Sequence, residues 1–457
     1  YGPQRFYPTD PYDENAGLCN MILRTDSNGN DTMYSEEHEV IEDKTIVEFR
    51  YDHSREAGWR WIPLRVRYDK TTEFRRGLPN FGNDYKVANS NWHSIHKPIT
   101  EEMIKTGRDI PQDNRDDGVY YNRGEKMKSD THGLRDFHNL YVKMNLIRNV
   151  ARPCDTLIDF ACGKGGDLSK WSDAKLSFIY GVDLSPDNIE NRMDGACARY
   201  LSYRKSHRFV PGALFVNGNS EYNIRSGQAI LNEKAKQVNA SIFGNKPKDN
   251  KIGKGVSKHH GIGEDGFNIS SCQFALHYFF KDKHVLHRFL TNIAECTKIG
   301  GYFIGACYDG KKIFNMLKHN EENESTEIFY KNKKIWGVTK MYPEDTFNDD
   351  NTSLGYTIEV FQETINKPFK EFLVNFDYFI REMENYGFQI LQDQDANDLG
   401  FPSGSGLFEE LYNDMNKKIL ANPKSKHSYG TSTNMKDIEK EISFKNRYFI
   451  FKKTSNV

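Results

Sequence analysis

Two acids, Asp159 and Asp183, bracket a glycine-rich run, Cys162-Gly163-Lys164-Gly165-Gly166-Asp167. Each acid closes an apolar segment: Thr156-Leu157-Ile158 leads into Asp159, and Phe178-Ile179-Tyr180-Gly181-Val182 leads into Asp183. Both segments read as buried strands, the first over Thr156 to Cys162. The glycines let the backbone take positive φ and approach a ligand closely. A helix opening behind them at Leu168 turns its free N–H groups toward whatever is bound. An acid at the end of the second strand suits ribose hydroxyls.

The spacing selects among nucleotide-type ligands. A dinucleotide fingerprint runs G-x-G-x-x-G and seats a pyrophosphate. Here the run is D-x-x-C-G-K-G-G, with Asp159 ahead of the glycines. A carboxylate there suits an ammonium group, not a phosphate. S-adenosylmethionine carries a ribose and an α-ammonium and no phosphate. A strand-to-helix turn that binds nothing would use Gly163, Gly165 and Gly166 equally well; two acids at successive strand ends favour the ligand. Three other places carry polar chemistry. Asn139 and Lys143 share one helix face. His277 and Tyr278 follow a fourth strand, on the edge where open α/β sheets bind ligands. Glu371 opens a helix. Each has an ordinary reading too: a surface pair, a structural histidine, an acid that favours the helix dipole.

These residues need a scaffold, and strands alternating with helices supply one. Strands are predicted at Thr156–Cys162, Phe178–Asp183, Ala213–Val216, Phe267–Phe274 and Gly301–Cys307. Helices are predicted at Phe137–Val150 and Asp282–Cys296, the latter stopped by Gly300-Gly301. The alternation predicts a mostly parallel sheet wound on both faces. A helix over Phe372–Tyr386 and a strand over Tyr448–Phe451 close the chain. Two insertions interrupt the pattern. Ser226 to Gly266, rich in Lys, Asn and Gly, reads as a mobile surface loop, dispensable for cofactor binding. Residues 313–370 read as a small lobe over the carboxyl edge. Before the sheet, residues 1–105 are β-rich, with alternating segments at Thr45–Tyr51 and Trp59–Tyr68 and a polar turn at Asp26-Ser27-Asn28-Gly29-Asn30. A charged linker follows at 106–130.

Composition bounds the rest. The 457 residues suffice for two or three domains. Lys+Arg 63 against Asp+Glu 64 leaves a net charge of -1, so nucleic-acid contact has to come from a local patch. The 7 cysteines show no metal-ligand spacing, and we expect a reduced protein with no metal site. No apolar run is long enough for a bilayer and no secretion signal is evident. The first residue is Tyr, as expected for a fragment of a longer polypeptide.

Together these segments resemble the mRNA cap (guanine-N7) methyltransferases. The resemblance is carried by Arg135-Asp136-Phe137-His138-Asn139-Leu140-Tyr141-Val142-Lys143, Asp159-Phe160-Ala161-Cys162-Gly163-Lys164-Gly165-Gly166-Asp167-Leu168, Gly181-Val182-Asp183, Gln273-Phe274-Ala275-Leu276-His277-Tyr278, Gly300-Gly301-Tyr302-Phe303-Ile304 and Glu371-Phe372. It implies a class I S-adenosylmethionine-dependent methyltransferase at 131–457, Rossmann-like, with a mostly parallel seven-stranded sheet. Ile46-Val47-Glu48-Phe49 with the segment Trp61 to Thr71 looks like the closing motif of a guanylyltransferase OB domain. Asn91 to Ile104 is similar to the connector in fused capping enzymes of large DNA viruses. The nucleotidyl-transfer motif K-x-D-G is absent, so Arg67, Asp69 and Lys70 would be orphaned and no guanylyltransferase activity is expected.

The resemblance implies roles. Lys143, Asp159 and Gly163 would hold the methionine end of the cofactor and Asp183 the ribose, with Leu184 beside it. Asn219, Ser220, Gln273, Phe274 and Ala275 would surround the adenine; the family usually has Asp-Ser where this chain has Asn219-Ser220. Asn139, His277, Tyr278, Tyr308 and Glu371 would form the cap-guanine pocket, and Asn446 stands where cellular members have a pocket-closing Tyr. Lys164, Lys170 and Arg199 would meet phosphates. The implied reaction is methyl transfer to N7 of the cap guanine. Partners would be capped RNA, the rest of a capping enzyme in cis and a stimulatory subunit, in the cytoplasm, a viral factory or a virion. Two other readings stay open: a ribose 2′-O methyltransferase, for which no K-D-K-E-type tetrad is evident, and a cofactor-binding scaffold module.

Overall fold

The computed structural model describes residues 3–8, 11, 13, 15–25, 29–56, 58–79, 81–98, 101, 130–365 and 367–456. Residues 26–28 of the expected turn and 106–129 of the expected linker lie outside these. The chain divides into two compact units, Tyr1–Asn114 and Arg115–Val457.

In the smaller unit, strands Ile22–Thr25, Asp31–Tyr34 and Val40–Ile41 form one antiparallel sheet, and Val47–Tyr51 pairs with Trp61–Val66 in a second. The described strands thus make two separate small sheets. Two helices follow, Tyr68–Arg75 and Tyr85–His96. Trp92 of the second helix is buried against Tyr51, with ring centroids 5.4 Å apart. Its indole N–H donates to the Pro11 carbonyl at 2.9 Å. Arg67 and Asp69 pair with each other at 3.0 Å, and Lys70 pairs with Glu73 at 2.8 Å.

The larger unit is built on one sheet. Its strands are β1 (Thr156–Asp159), β2 (Phe178–Asp183), β3 (Gly212–Asn217), β4 (Phe267–Gln273) and β5 (Thr297–Tyr308). Four lobe strands follow: β6 (Ser325–Tyr330), β7 (Lys333–Lys340), β8 (Thr357–Gln362) and β9 (Pro368–Phe372). The chain then returns to the main sheet with β10 (Phe388–Ile390), β11 (Ser405–Leu407) and β12 (Asn446–Lys453). The order is β10-β12-β5-β4-β1-β2-β3, with β11 also on β12. β1 to β5 run parallel and β12 antiparallel. β10 pairs with residues 451–453 of β12 and β11 with 447–449, so the two lie end to end along one edge. The sheet therefore has seven positions, one of them split.

Every residue of β1 and β2 is buried, as a parallel sheet covered on both faces requires. The two faces alternate along each strand. Ile158 and Tyr180 enter one apolar cluster, and Leu157 and Ile179 the other. The order reverses between β1 and β4, and that crevice is where ligands bind in such sheets.

Four expectations need correction. Residues 226–266 are not a mobile loop. They hold a helix, Glu233–Ile242, with Asn232 as its cap, and Ala229, Ile230, Ile242 and Phe243 enter the core. The low aromatic content hid a short amphipathic helix. Gly300-Gly301 does not stop the preceding helix, which ends at Cys296 and passes straight into β5. A Cβ on Gly301 would lie 2.6 Å from the Asn268 carbonyl, so that glycine serves a close strand approach at an irregularity in β5. Glu371 does not open a helix. It lies in β9, opposite Ile358, and the helix starts at Phe376. The helix at 137–150 begins at His132 and contains a π-helical stretch, Phe137–Lys143.

Candidate functional site

The glycine loop leaves β1 at Asp159. Gly163 and Gly165 sit at φ 53° and 65°, the left-handed region that favours glycine. β2 presses against the loop: a Cβ on Gly181 would lie 2.9 Å from Cys162 Sγ. Asp183 ties strand to loop, accepting from the Gly163 N–H at 2.7 Å through one oxygen. Its other oxygen accepts from the Ser185 N–H at 3.0 Å and the Asn188 amide at 2.9 Å. Burial raises the Asp183 carboxyl, against these three donors.

Asp159 is buried and accepts one backbone hydrogen bond, from Ala161 at 3.1 Å. Burial, and then the neighbouring Asp167, push its pKa up to about 7. Asp167 shows the opposite outcome. Burial alone would raise it, but Lys143 at 3.4 Å and Lys170 at 2.8 Å hold it well below the ordinary carboxylate range. Two ammonium groups and three carboxylates leave one negative charge in excess when all are ionised. S-adenosylmethionine, with a sulfonium and an ammonium against one carboxylate, carries the opposite excess. The residues present fit that cofactor: they leave an under-compensated acid, Asp159, beside glycines that keep the loop open.

β4 ends in strained backbone. Phe274 takes φ 58° without being glycine, a conformation that persists only where surroundings enforce it. Its ring stacks on His138 at 5.2 Å and lies 5.6 Å from Lys143 Nζ. Among the described residues, the buried Gln273 Oε1 has no hydrogen-bond partner. Ser220 donates to the Phe160 carbonyl at 2.7 Å, joining the third strand's end to the first's. Asn219 accepts from the Glu221 N–H at 2.9 Å, and Leu184 is exposed.

A second polar cluster follows. His277 and Glu371 are both buried, with Nδ1 and Oε2 3.6 Å apart. Burial pushes the His277 pKa down to about 3, so the ring is neutral. Among the described residues, neither ring nitrogen has a hydrogen-bond partner. The Tyr278 ring stands edge-on to it at 4.2 Å. Tyr308 ends β5, its hydroxyl accepting from the Trp336 indole at 3.0 Å and from Gln362 at 3.2 Å. Burial, then Glu371, raise the Tyr308 hydroxyl. Asn446 is the cross-strand neighbour of Tyr308. Asn139 turns its amide back to the Arg135 carbonyl at 2.9 Å.

Two expected phosphate contacts are spent inside the fold. Lys164 is buried between Asp187 and Asp194, each at 2.9 Å, and Lys170 is buried on Asp167. Their loop position suggested exposure; the neighbouring acids reversed it. Arg199 donates to the Lys164 carbonyl at 3.0 Å and lines a depression with Gly166 and Ser169. Sequence reasoning missed three residues. Asp167 was readable from the lysines three residues on and one helix away. His138, bonded to Ser443 at 2.8 Å, adjoins Asn139. Asn217, which donates to the Leu184 carbonyl at 2.8 Å, gave no signal. No metal-binding cluster is present among the described residues.

A sheet of this order, with a glycine loop after β1 and acids ending β1 and β2, defines a class I S-adenosylmethionine-dependent methyltransferase. The model for the mRNA (guanine-N(7))-methyltransferase domain matches residues 113–454. The chain belongs to that family. It is 27% identical to a probable mRNA-capping enzyme of Acanthamoeba polyphaga mimivirus over 95% of this chain and 37% of that protein. It is 28% identical to mRNA cap guanine-N(7) methyltransferase 1 of Arabidopsis thaliana over 55% of this chain and 58% of that one. It is 21% identical to the mRNA-capping enzyme of African swine fever virus over 77% and 36% respectively. The chain thus spans from about a third to three fifths of these relatives.

Proposed function

We propose that this chain transfers a methyl group to N7 of the terminal guanine of capped RNA, with Asp159, Lys143 and Gly163 at the methionine end of the cofactor and Asp183 at its ribose. Leu184, Asn219, Ser220, Gln273, Phe274 and Ala275 line the adenine side. His277, Tyr278, Tyr308, Asn139 and Glu371 receive the guanine. The observation that carries this is the His277–Glu371 pair. Two buried ring nitrogens without partners beside a buried carboxylate need a ligand edge rich in donors and acceptors. Guanine offers N1–H and N2–H₂ to the carboxylate.

Bound S-adenosylmethionine supplies the methyl on a sulfonium. Guanine N7 has a free lone pair, so no residue has to remove a proton. The neutral His277 is consistent with positioning rather than base catalysis. The pocket contributes alignment, which is worth roughly 7–11 kcal/mol when it replaces a bimolecular encounter. An adenine would leave buried polar groups unpaired, at about 1–3 kcal/mol each. Arg199 is the remaining candidate for a cap phosphate. The smaller unit carries the tail of a guanylyltransferase module without its activity. Incubation with labelled cofactor and GpppA or m7GpppA is the test. Label in GpppA alone is expected; equal label in both would mean the target is not N7.

A further inference from the structure

The insertion at 226–266 has a second half that the cofactor site does not use. Between Asn245 and His260 it carries five lysines and one acid, Asp249, in a chain whose net charge is -1. This half is ordered. The Ser257 hydroxyl donates to Asn250 at 2.5 Å, Val256 and Ser257 are buried, and the His260 ring meets the Ser241 hydroxyl at 3.3 Å. Lys251, Lys254 and Lys258 all point to solvent.

A second basic segment leads into β3, whose first residue lies against His259. The His259 ring packs on Phe178, the first residue of β2, at 4.5 Å. It also fills the space a Cβ on Gly212, the first residue of β3, would take. The residues leading into β3 include Arg204, Lys205 and Arg208, all exposed, next to an exposed Phe209. Among the described residues, none of these six cations has a carboxylate within ion-pair distance. Lys311, Lys333 and Lys334, by contrast, each hold an acid, although among the described residues other lysines such as Lys298, Lys424 and Lys426 do not. A cluster of uncompensated cations raises self-repulsion and favours a polyanion.

We propose that Arg204, Lys205, Arg208, Lys251, Lys254 and Lys258 form a docking surface for the phosphate backbone of the transcript, at the amino edge of the sheet. It rests on the cap-methyltransferase reading and extends it to the body of the RNA. β2 and β3 have six residues each, so this surface lies about 17 Å from the carboxyl edge at roughly 3.3 Å per residue. A cap dinucleotide held by His277 and Glu371 does not reach it; a longer transcript does. Scattered lysines with no matching hydrogen-bond pattern suit sequence-independent phosphate binding.

The test is the triple variant K251E/K254E/K258E of the full chain, whose changed side chains are all exposed. Methylation of GpppA is expected to keep its kcat and KM, which reports on the cap site independently. Affinity for a capped 25-nucleotide RNA is expected to fall at least tenfold. The slope of log K against log salt should shrink by roughly 2, at about 0.7 for each single-strand phosphate that is no longer neutralised. Unchanged RNA affinity and slope would overturn the proposal. So would a variant that keeps RNA affinity but loses an acidic protein partner, because the surface would then belong to that protein. If wild type fails on GpppA yet the variant loses RNA binding, the docking surface stands and the cap reading falls.

Discussion

At the scale of single residues, Asp159 is the most exposed to test. Its proton is held more tightly folded than unfolded, with a pKa raised from 3.8 to about 7. Its contribution to stability is therefore lost as the pH rises between those values. Asp159→Asn removes that loss, so the variant's melting temperature should exceed wild type by a few degrees above pH 7 and converge with it near pH 4. The same change removes the ammonium's partner, so cofactor affinity should fall. In wild type, pairing with the ammonium lowers the pKa again. Binding at pH 7 should then release a fraction of a proton, read by calorimetry in buffers of different ionisation enthalpy. Binding with no proton released would place the ammonium elsewhere. Glu371→Ala separates the two ligands. Methyl transfer should fall about 100-fold, the cost of roughly 3 kcal/mol for buried groups left unpaired, while cofactor affinity stays within about twofold. Loss of cofactor binding instead would move Glu371 out of the cap pocket.

Elements explain why these residues meet. Strands carrying Asp159, Asp183 and Gln273 were legible as apolar runs ending in an acid or a polar motif, but the first stops at Asp159 and not at the expected Cys162, because the glycine loop leaves the sheet there. What was not legible was local context. The spacing of Lys164 could not show Asp187 and Asp194 closing around it, and the composition of 226–266 concealed a helix. That helix is held by more than its apolar face: the Tyr180 hydroxyl donates to Asn239 at 2.7 Å, and Asn239 donates to the Ile224 carbonyl at 2.8 Å. Ile242→Ala should cost about 2–5 kcal/mol in denaturant unfolding, as core truncations do. A cost within error of zero would restore the expectation of a mobile loop. The position of Glu371 was hidden for a similar reason. An acid before an apolar helical run looks like a helix start, and only the pairing of β9 with β8 shows that it belongs to a sheet, beside His277.

For the whole molecule, a near-neutral net charge conceals a division of labour. Acids are in excess around Asp159, Asp167 and Asp183, where a cationic cofactor fits, and bases are in excess at the opposite edge, where an RNA chain fits. The two units, Tyr1–Asn114 and Arg115–Val457, differ in how readable they were. The larger announced its fold through strand-helix alternation. The smaller gave its hairpin and little else, because short alternating strands do not say how sheets close. No helix among the described residues is long and apolar enough to cross a membrane.

The π-helical stretch at Phe137–Lys143 works as a phase shifter. Before it, Gly133 lies against Met435 and Glu439; after it, Leu146, Ile147 and Val150 enter the core under the sheet. A regular helix advances 100° per residue, and a π-turn absorbs one extra residue. The two ends of this helix are therefore indexed separately, like the scales of a vernier. Losing one residue there would return the stretch to a regular helix with its flanking turns still in register, so the change would fall on the residues inside it, Asn139 among them, and not on either strand end.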